Sequence, residues 1–177
     1  MLLTLAVAAL GVPASAQTSA NVAYQDGNVR ITMIADGAAR LEYAPDGKFV
    51  DNKSQVAVIR DYAPVSYKVS DKSKTVRIST DAMTITYVKG KGPFTSANLS
   101  IVSAKKKGAL PFSWKPGQKD DGNLKGTYRT LDGYDGDLNN GKPMPIEDGV
   151  LSKSGWTLIN DSKSYLFDRS EWPWVEE

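Results

Sequence analysis

Three carboxylates crowd one short stretch of the chain, Asp132, Asp135 and Asp137, with Arg129 just ahead of them. Carboxyl groups in pairs are the machinery of glycosyl transfer, where a retaining mechanism needs two of them about 5–5.5 Å apart across the sugar. Gly133 and Gly136 interleave with these aspartates. Asp-Gly pairs also satisfy the backbone of tight turns, and a turn-rich loop accounts for the residues without catalysis. Asp135, Asp137 and Asn139 repeat the one-three-five spacing of a calcium loop. The glycine that such a loop needs at its sixth position is displaced to Gly141, with Asn140 in its place, and the closing carboxylate is one late at Glu147. No helices flank the stretch, and no metal is assigned to it.

The chain has 0 histidines and no cysteine. Ser-His and Cys-His nucleophilic mechanisms, histidine acid–base work, disulfides and the usual zinc sites are therefore excluded. Catalysis would have to rest on carboxylates, lysines or tyrosines, and no cofactor is called for. Among the aromatics, Trp114, Tyr128 and Tyr134 are the candidates for stacking on a pyranose face. Trp156 sits in an alternating segment and reads as core. Trp172 and Trp174 flank Pro173 and are expected to pack on whatever polypeptide adjoins them. Lysine and arginine number 22 against 20 acidic residues. A net charge of +2 is too balanced to argue for nucleic acid or an anionic membrane surface. The basic run Lys105–Lys107 reads as a solvated loop.

The elements that would position these residues are strands. The chain is 41% hydrophobic and 24% charged, an ordinary globular composition. Apolar and polar residues alternate in 29–33, 39–43, 66–70, 75–79 and 83–88, and strand character recurs at 99–102. Asp26-Gly27, Asp36-Gly37 and Asp46-Gly47 punctuate the first of these as turn dipeptides. Residues 56–60 fit a strand or a short helix. From about 104 to 148 the pattern dissolves into a long loop rich in Gly, Pro, Asp, Asn and Lys. Strands are expected again at 155–159 and 164–167. Short strands at such spacing predict an all-β, mainly antiparallel fold, a sandwich or barrel. Residues 1–16 read as a signal peptide: an apolar run, a break at Pro13 and a small-x-small pattern at Ala14–Ala16, with cleavage before Gln17. The basic n-region of such a peptide is missing. The run is too short to span a bilayer as a mature helix. Residues 17–177 then form one domain.

Two segments carry a resemblance. Gly126-Thr127-x-Arg129-Thr130-Leu131-Asp132-Gly133 is followed by Gly149-x-Leu151-Ser152-x-x-Gly155-Trp156-x-Leu158-Ile159. Together they resemble the N-terminal β-sandwich region of glycoside hydrolase family 31, the α-glucosidases and α-xylosidases, over roughly residues 20–177. The resemblance implies an antiparallel β-sandwich of the galactose mutarotase-like kind. It also implies a retaining α-glycosidase whose nucleophile and acid aspartates lie in a (β/α)8 barrel downstream. The tryptophan-aspartate-methionine type of nucleophile motif is absent, so no catalytic residue is carried over. What the resemblance does assign is a place for Arg129 and Asp132 at the border of the sugar pocket or at the domain interface. The partner it implies is the catalytic barrel, in cis or as a separate polypeptide, acting on an α-linked oligosaccharide. A free carbohydrate-binding module is the main rival, and a structural outer-surface domain is a third reading. The sugar itself is not legible.

Overall fold

A computed structural model describes residues 21–90, 92–105, 111–126 and 146–167. Its described residues contain eight strands and no helix: β1 (Val22–Asp26), β2 (Val29–Ala35), β3 (Ala38–Tyr43), β4 (Lys68–Asp71), β5 (Thr75–Ser79), β6 (Met83–Val88), β7 (Leu99–Ser103) and β8 (Ser113–Trp114). They form two antiparallel sheets, one ordered β1-β2-β3 and one ordered β4-β5-β6-β7-β8. The fold is all-β.

Alternation explains the architecture. Val29, Ile31 and Met33 of β2 and Met83, Ile85 and Tyr87 of β6 are all buried, while the residues between them in β6 are half-buried. Together with Tyr24, Val76, Ile78, Leu99 and Trp114 they make one hydrophobic cluster drawn from both sheets. Burying side chains of this size contributes roughly 1.5–3 kcal/mol each, and both sheets contribute to this shared cluster. Tyr24 and Tyr87 meet at 5.9 Å between ring centroids, and Phe94 closes on Tyr87 edge-on at 5.7 Å. Tight turns fix the register. Asp26 pairs with Val29 across Gly27-Asn28, where Gly27 takes a φ of 51° that a side chain would strain.

The segments expected as strands in 29–88 and 99–102 coincide with β2 to β7 within two residues. Elsewhere the structure differs. Residues 56–60 adopt neither strand nor helix. Within the stretch expected as a long loop lies β8, too short to show a period. The strands expected at 155–159 and 164–167 do not form: among the described residues no ladder partner lies beside the first, and the second makes one bridge, Leu166 to Ser54. Apolar alternation marks a candidate strand, but a strand exists only where another backbone takes up its hydrogen bonds. The signal segment, 1–16, lies outside the described residues.

Candidate functional site

The second motif segment is brought against the residues that lead into the first, 120–126. Asn123 bridges to Ser152, Leu124 donates to the Leu151 carbonyl at 3.0 Å, Gly126 to Glu147 at 2.8 Å, and Lys153 to Gly122 at 2.9 Å. Asn123 organises the join. Its amide nitrogen donates to Asp120 Oδ2 and to the Gly149 carbonyl, each at 3.0 Å, and its amide oxygen accepts from the backbone of Lys125 at 2.8 Å and of Gly149 at 2.9 Å. Ser152 Oγ donates to Asp120 Oδ1 at 2.6 Å. That hydrogen bond, with those from Ser154, Asn123 and Gly122, holds the Asp120 carboxyl below the ordinary aspartate range. Lys125 pairs with Asp148 at the rim. The join is tight: a Cβ on Gly149 would sit 2.5 Å from the Lys125 carbonyl oxygen, and one on Gly122 would sit 2.6 Å from Ser154 Oγ. Gly149 of the second segment and Gly122, just ahead of the first, leave no room for a side chain at the join.

Beside this join lies a polar recess of about 590 Å³, bordered by Lys119, Asp121, Asn123, Trp156 and Asn160. A far larger cleft, about 1410 Å³, opens along β3 and is lined chiefly by apolar side chains, among them Leu41, Ile101, Phe112, Trp114, Trp156 and Ile159. Around it the surface is unusually apolar: Ile59, Val150, Leu151, Leu158 and Ile159 are all more than half exposed, at 69%, 68%, 67%, 61% and 56%.

A charged chain on the outer face of the three-stranded sheet ties the 158–167 segment down. Arg30 takes Glu42 through Nε at 2.7 Å and Nη2 at 2.9 Å, and reaches Asp51 at 2.6 Å. Arg40 Nη1 donates to Asp161 at 2.9 Å. Arg40 Nε forms an ion pair with Glu42 at 3.0 Å. Burial alone would raise the Asp161 carboxyl. Hydrogen bonds from Ser54, Arg40 and Ser164 outweigh burial and hold it below the ordinary value.

The sequence candidates fall as follows. Trp114 is 7% exposed, packs in the hydrophobic cluster and has its ring 6.2 Å from that of Trp156. Its buried Nε1 has no hydrogen-bond partner among the described residues. Trp156 is half-buried against the core and borders both the recess and the cleft. Glu147 is exposed, and its backbone carbonyl serves the join. Arg129, Asp132, Tyr128, Tyr134, Asp135, Asp137, Trp172 and Trp174 lie outside the described residues. Sequence reasoning missed Asn123, Asp120 and Arg40. A lone Asn with hydrogen bonds to backbone carries no periodic signal, and only its place near the first motif pointed to it. Comparison with protein-family models and with curated proteins gives no match.

Proposed function

We propose that the chain is the non-catalytic N-terminal domain of a family 31 retaining α-glycosidase, an exported protein in which this domain supports and borders the sugar pocket of a (β/α)8 barrel. The observation that carries the reading is the join between the second motif and the residues that lead into the first. Gly149, Leu151 and Ser152 of the second motif pack on residues 120–126 at the head of the first. Asn123 and the close-packed Gly149 make that join specific to these residue types. An all-β fold of two antiparallel sheets fits the galactose mutarotase-like architecture that the resemblance implies. The apolar surface around β3 fits a domain that leans on another body. In this reading chemistry belongs to the barrel, and the isolated chain does not turn over aryl α-glucosides or α-xylosides. The coding DNA just past Glu177 tests it. An in-frame barrel with an aspartate nucleophile motif supports the proposal, and an unrelated reading frame overturns it.

A second reading, a free carbohydrate-binding module, draws on the polar recess. There Trp156 stands with Asp121, Lys119 and Asn160, an aromatic surface with hydrogen-bonding groups around it. Calorimetry of the isolated chain with α-linked oligosaccharides separates the two: binding that Trp156→Ala removes while the fold persists favours the module.

A further inference from the structure

We propose that Asp36-Gly37, in the turn between β2 and β3, is a self-modifying site: its backbone closes on the Asp36 side chain to a cyclic imide and reopens in part as an isoaspartyl linkage, with the Thr80 hydroxyl promoting closure. The inference does not depend on the function proposed above, because it concerns one turn and its neighbours rather than a family.

The step is a dehydration. The Gly37 amide nitrogen attacks Cγ of the protonated Asp36 carboxyl. An N–C bond forms, a C–O bond breaks, and the carboxyl hydroxyl leaves with the amide proton as one water. Water then adds back to the imide. Opening between nitrogen and Cγ restores aspartate. Opening between nitrogen and the α-carbonyl carbon routes the chain through Cβ and Cγ and leaves the α-carboxyl free. No oxidant or reductant takes part, and the only co-reactant is water. Glycine after the aspartate leaves the attacking nitrogen uncrowded. Closure also needs the carboxyl and the amide to be free of other partners.

Among the described residues Asp-Gly pairs stand at 26–27, 36–37, 46–47, 121–122 and 148–149, and the fold ties up all but one. The Asp26 carboxyl accepts the Tyr24 hydroxyl at 3.0 Å. The Gly47 amide donates to the Ala44 carbonyl at 2.9 Å, and Asp46 Oδ1 accepts the Lys48 amide at 3.0 Å. The Gly122 backbone hydrogen-bonds the Asp120 carboxyl. The Gly149 amide donates to Asn123 Oδ1 at 2.9 Å, and Asp148 pairs with Lys125. Asp36 and Gly37 are both exposed, and among the described residues neither the Asp36 carboxyl nor the Gly37 amide has a hydrogen-bond partner.

Thr80, between β5 and β6, is what meets the free pair. Its hydroxyl donates to the Asp36 carbonyl at 2.6 Å, closer than its alternative acceptor, the Met83 carbonyl at 3.3 Å. The same oxygen accepts the amides of Ala82 and Met83, each at 3.1 Å. Two incoming N–H groups polarise the O–H and strengthen its outgoing bond. The carbonyl it binds belongs to the Asp36–Gly37 peptide itself. The bond therefore draws charge from the Gly37 nitrogen and acidifies the proton that must leave. Thr80 acts as a positioning residue, through the peptide and not on the carboxyl.

The test ages the full chain at pH 6 and 37 °C, folded and in concentrated guanidinium, and maps isoaspartate at each pair by electron-transfer fragmentation of the digest. In the folded chain isoaspartate should accumulate at Asp36 at least fivefold faster than at Asp46 and Asp148. In denaturant the three rates should converge to within about twofold, because the same dipeptide has lost its different surroundings. Thr80→Val should slow Asp36 at least threefold in the folded chain and leave the denatured rate unchanged, while Thr80→Ser, which keeps the hydroxyl, should age like the parent. Asp46 and Asp148 report whether each variant is folded, since they stay slow only while their guards hold. If the valine variant unfolds, the parent's folded and denatured rates and the serine variant decide. Three results overturn the proposal: Asp36 no faster than the guarded pairs in the folded chain, a lead for Asp36 that persists in denaturant and so belongs to local sequence, or a folded valine variant that ages at Asp36 like the parent.

Discussion

Ser54 Oγ donates a 2.7 Å hydrogen bond to Asp161 Oδ1, joining positions 107 residues apart. Ser54 is fully buried, and the same oxygen accepts the Ala57 amide at 2.9 Å. Around this pair the 52–55 segment meets 165–167 through Gln55 to Tyr165, Phe167 to Lys53 and Asn52 to Phe167. Ser54→Ala strands the Ala57 amide and removes one partner of Asp161. It should destabilise the chain by about 1–3 kcal/mol, measured as a lower urea midpoint at unchanged slope. A midpoint within error of the parent would mean that the two segments are not coupled through this hydroxyl.

Acid should loosen the same contact. The Asp161 carboxyl sits lower in the folded chain than its ordinary value of 3.8. A depressed carboxyl contributes stability that is fully present above the unfolded value and is lost as pH falls through the folded one. Stability therefore falls below about pH 4, and Asp161→Asn should flatten that fall while lowering stability at neutral pH. Urea titrations of both chains between pH 2.5 and 7 check it; parallel curves would remove Asp161 from the acid response.

Gly149→Ala should cost about 1–3 kcal/mol. Its new methyl would meet the Lys125 carbonyl oxygen at 2.5 Å, a backbone atom that moves only if the join opens. Gly126→Ala on the facing segment is the control, since its methyl would meet the Glu147 carbonyl at an ordinary 3.5 Å. Chemical denaturation of the pair reads the difference. Equal costs would show that the join does not constrain position 149.

How far the sequence revealed this molecule follows from where strands find partners. β5 and β6 were legible because Val76, Ile78, Met83, Ile85 and Tyr87 alternate cleanly and each strand pairs with its chain neighbour. Residues 155–159 alternate as well, yet Leu158 and Ile159 stay exposed there, because pairing depends on a neighbouring backbone that side-chain pattern does not encode. Val22–Asp26 escaped notice since only Tyr24 is buried within it. The join was half legible: both motifs were visible as segments, but the contact rests on single polar groups such as Asn123, whose partners lie up to 26 residues away.

Trp114 sets the last prediction. Its ring completes the core beside Trp156, while its Nε1 is buried with no hydrogen-bond partner among the described residues. These two facts pull substitutions in opposite directions. Trp114→Ala removes the ring and leaves a cavity between β8 and the core, and should cost about 3–5 kcal/mol. Trp114→Phe keeps most of the aromatic packing and removes a donor whose desolvation is uncompensated. Loss of packed volume and relief of the unpaired N–H then nearly cancel, and the net change should stay within about 1 kcal/mol. Thermal and urea unfolding of both variants decide between the two contributions. A phenylalanine variant as unstable as the alanine one would mean that Nε1 has an acceptor in solution, and that the indole nitrogen rather than the ring anchors β8.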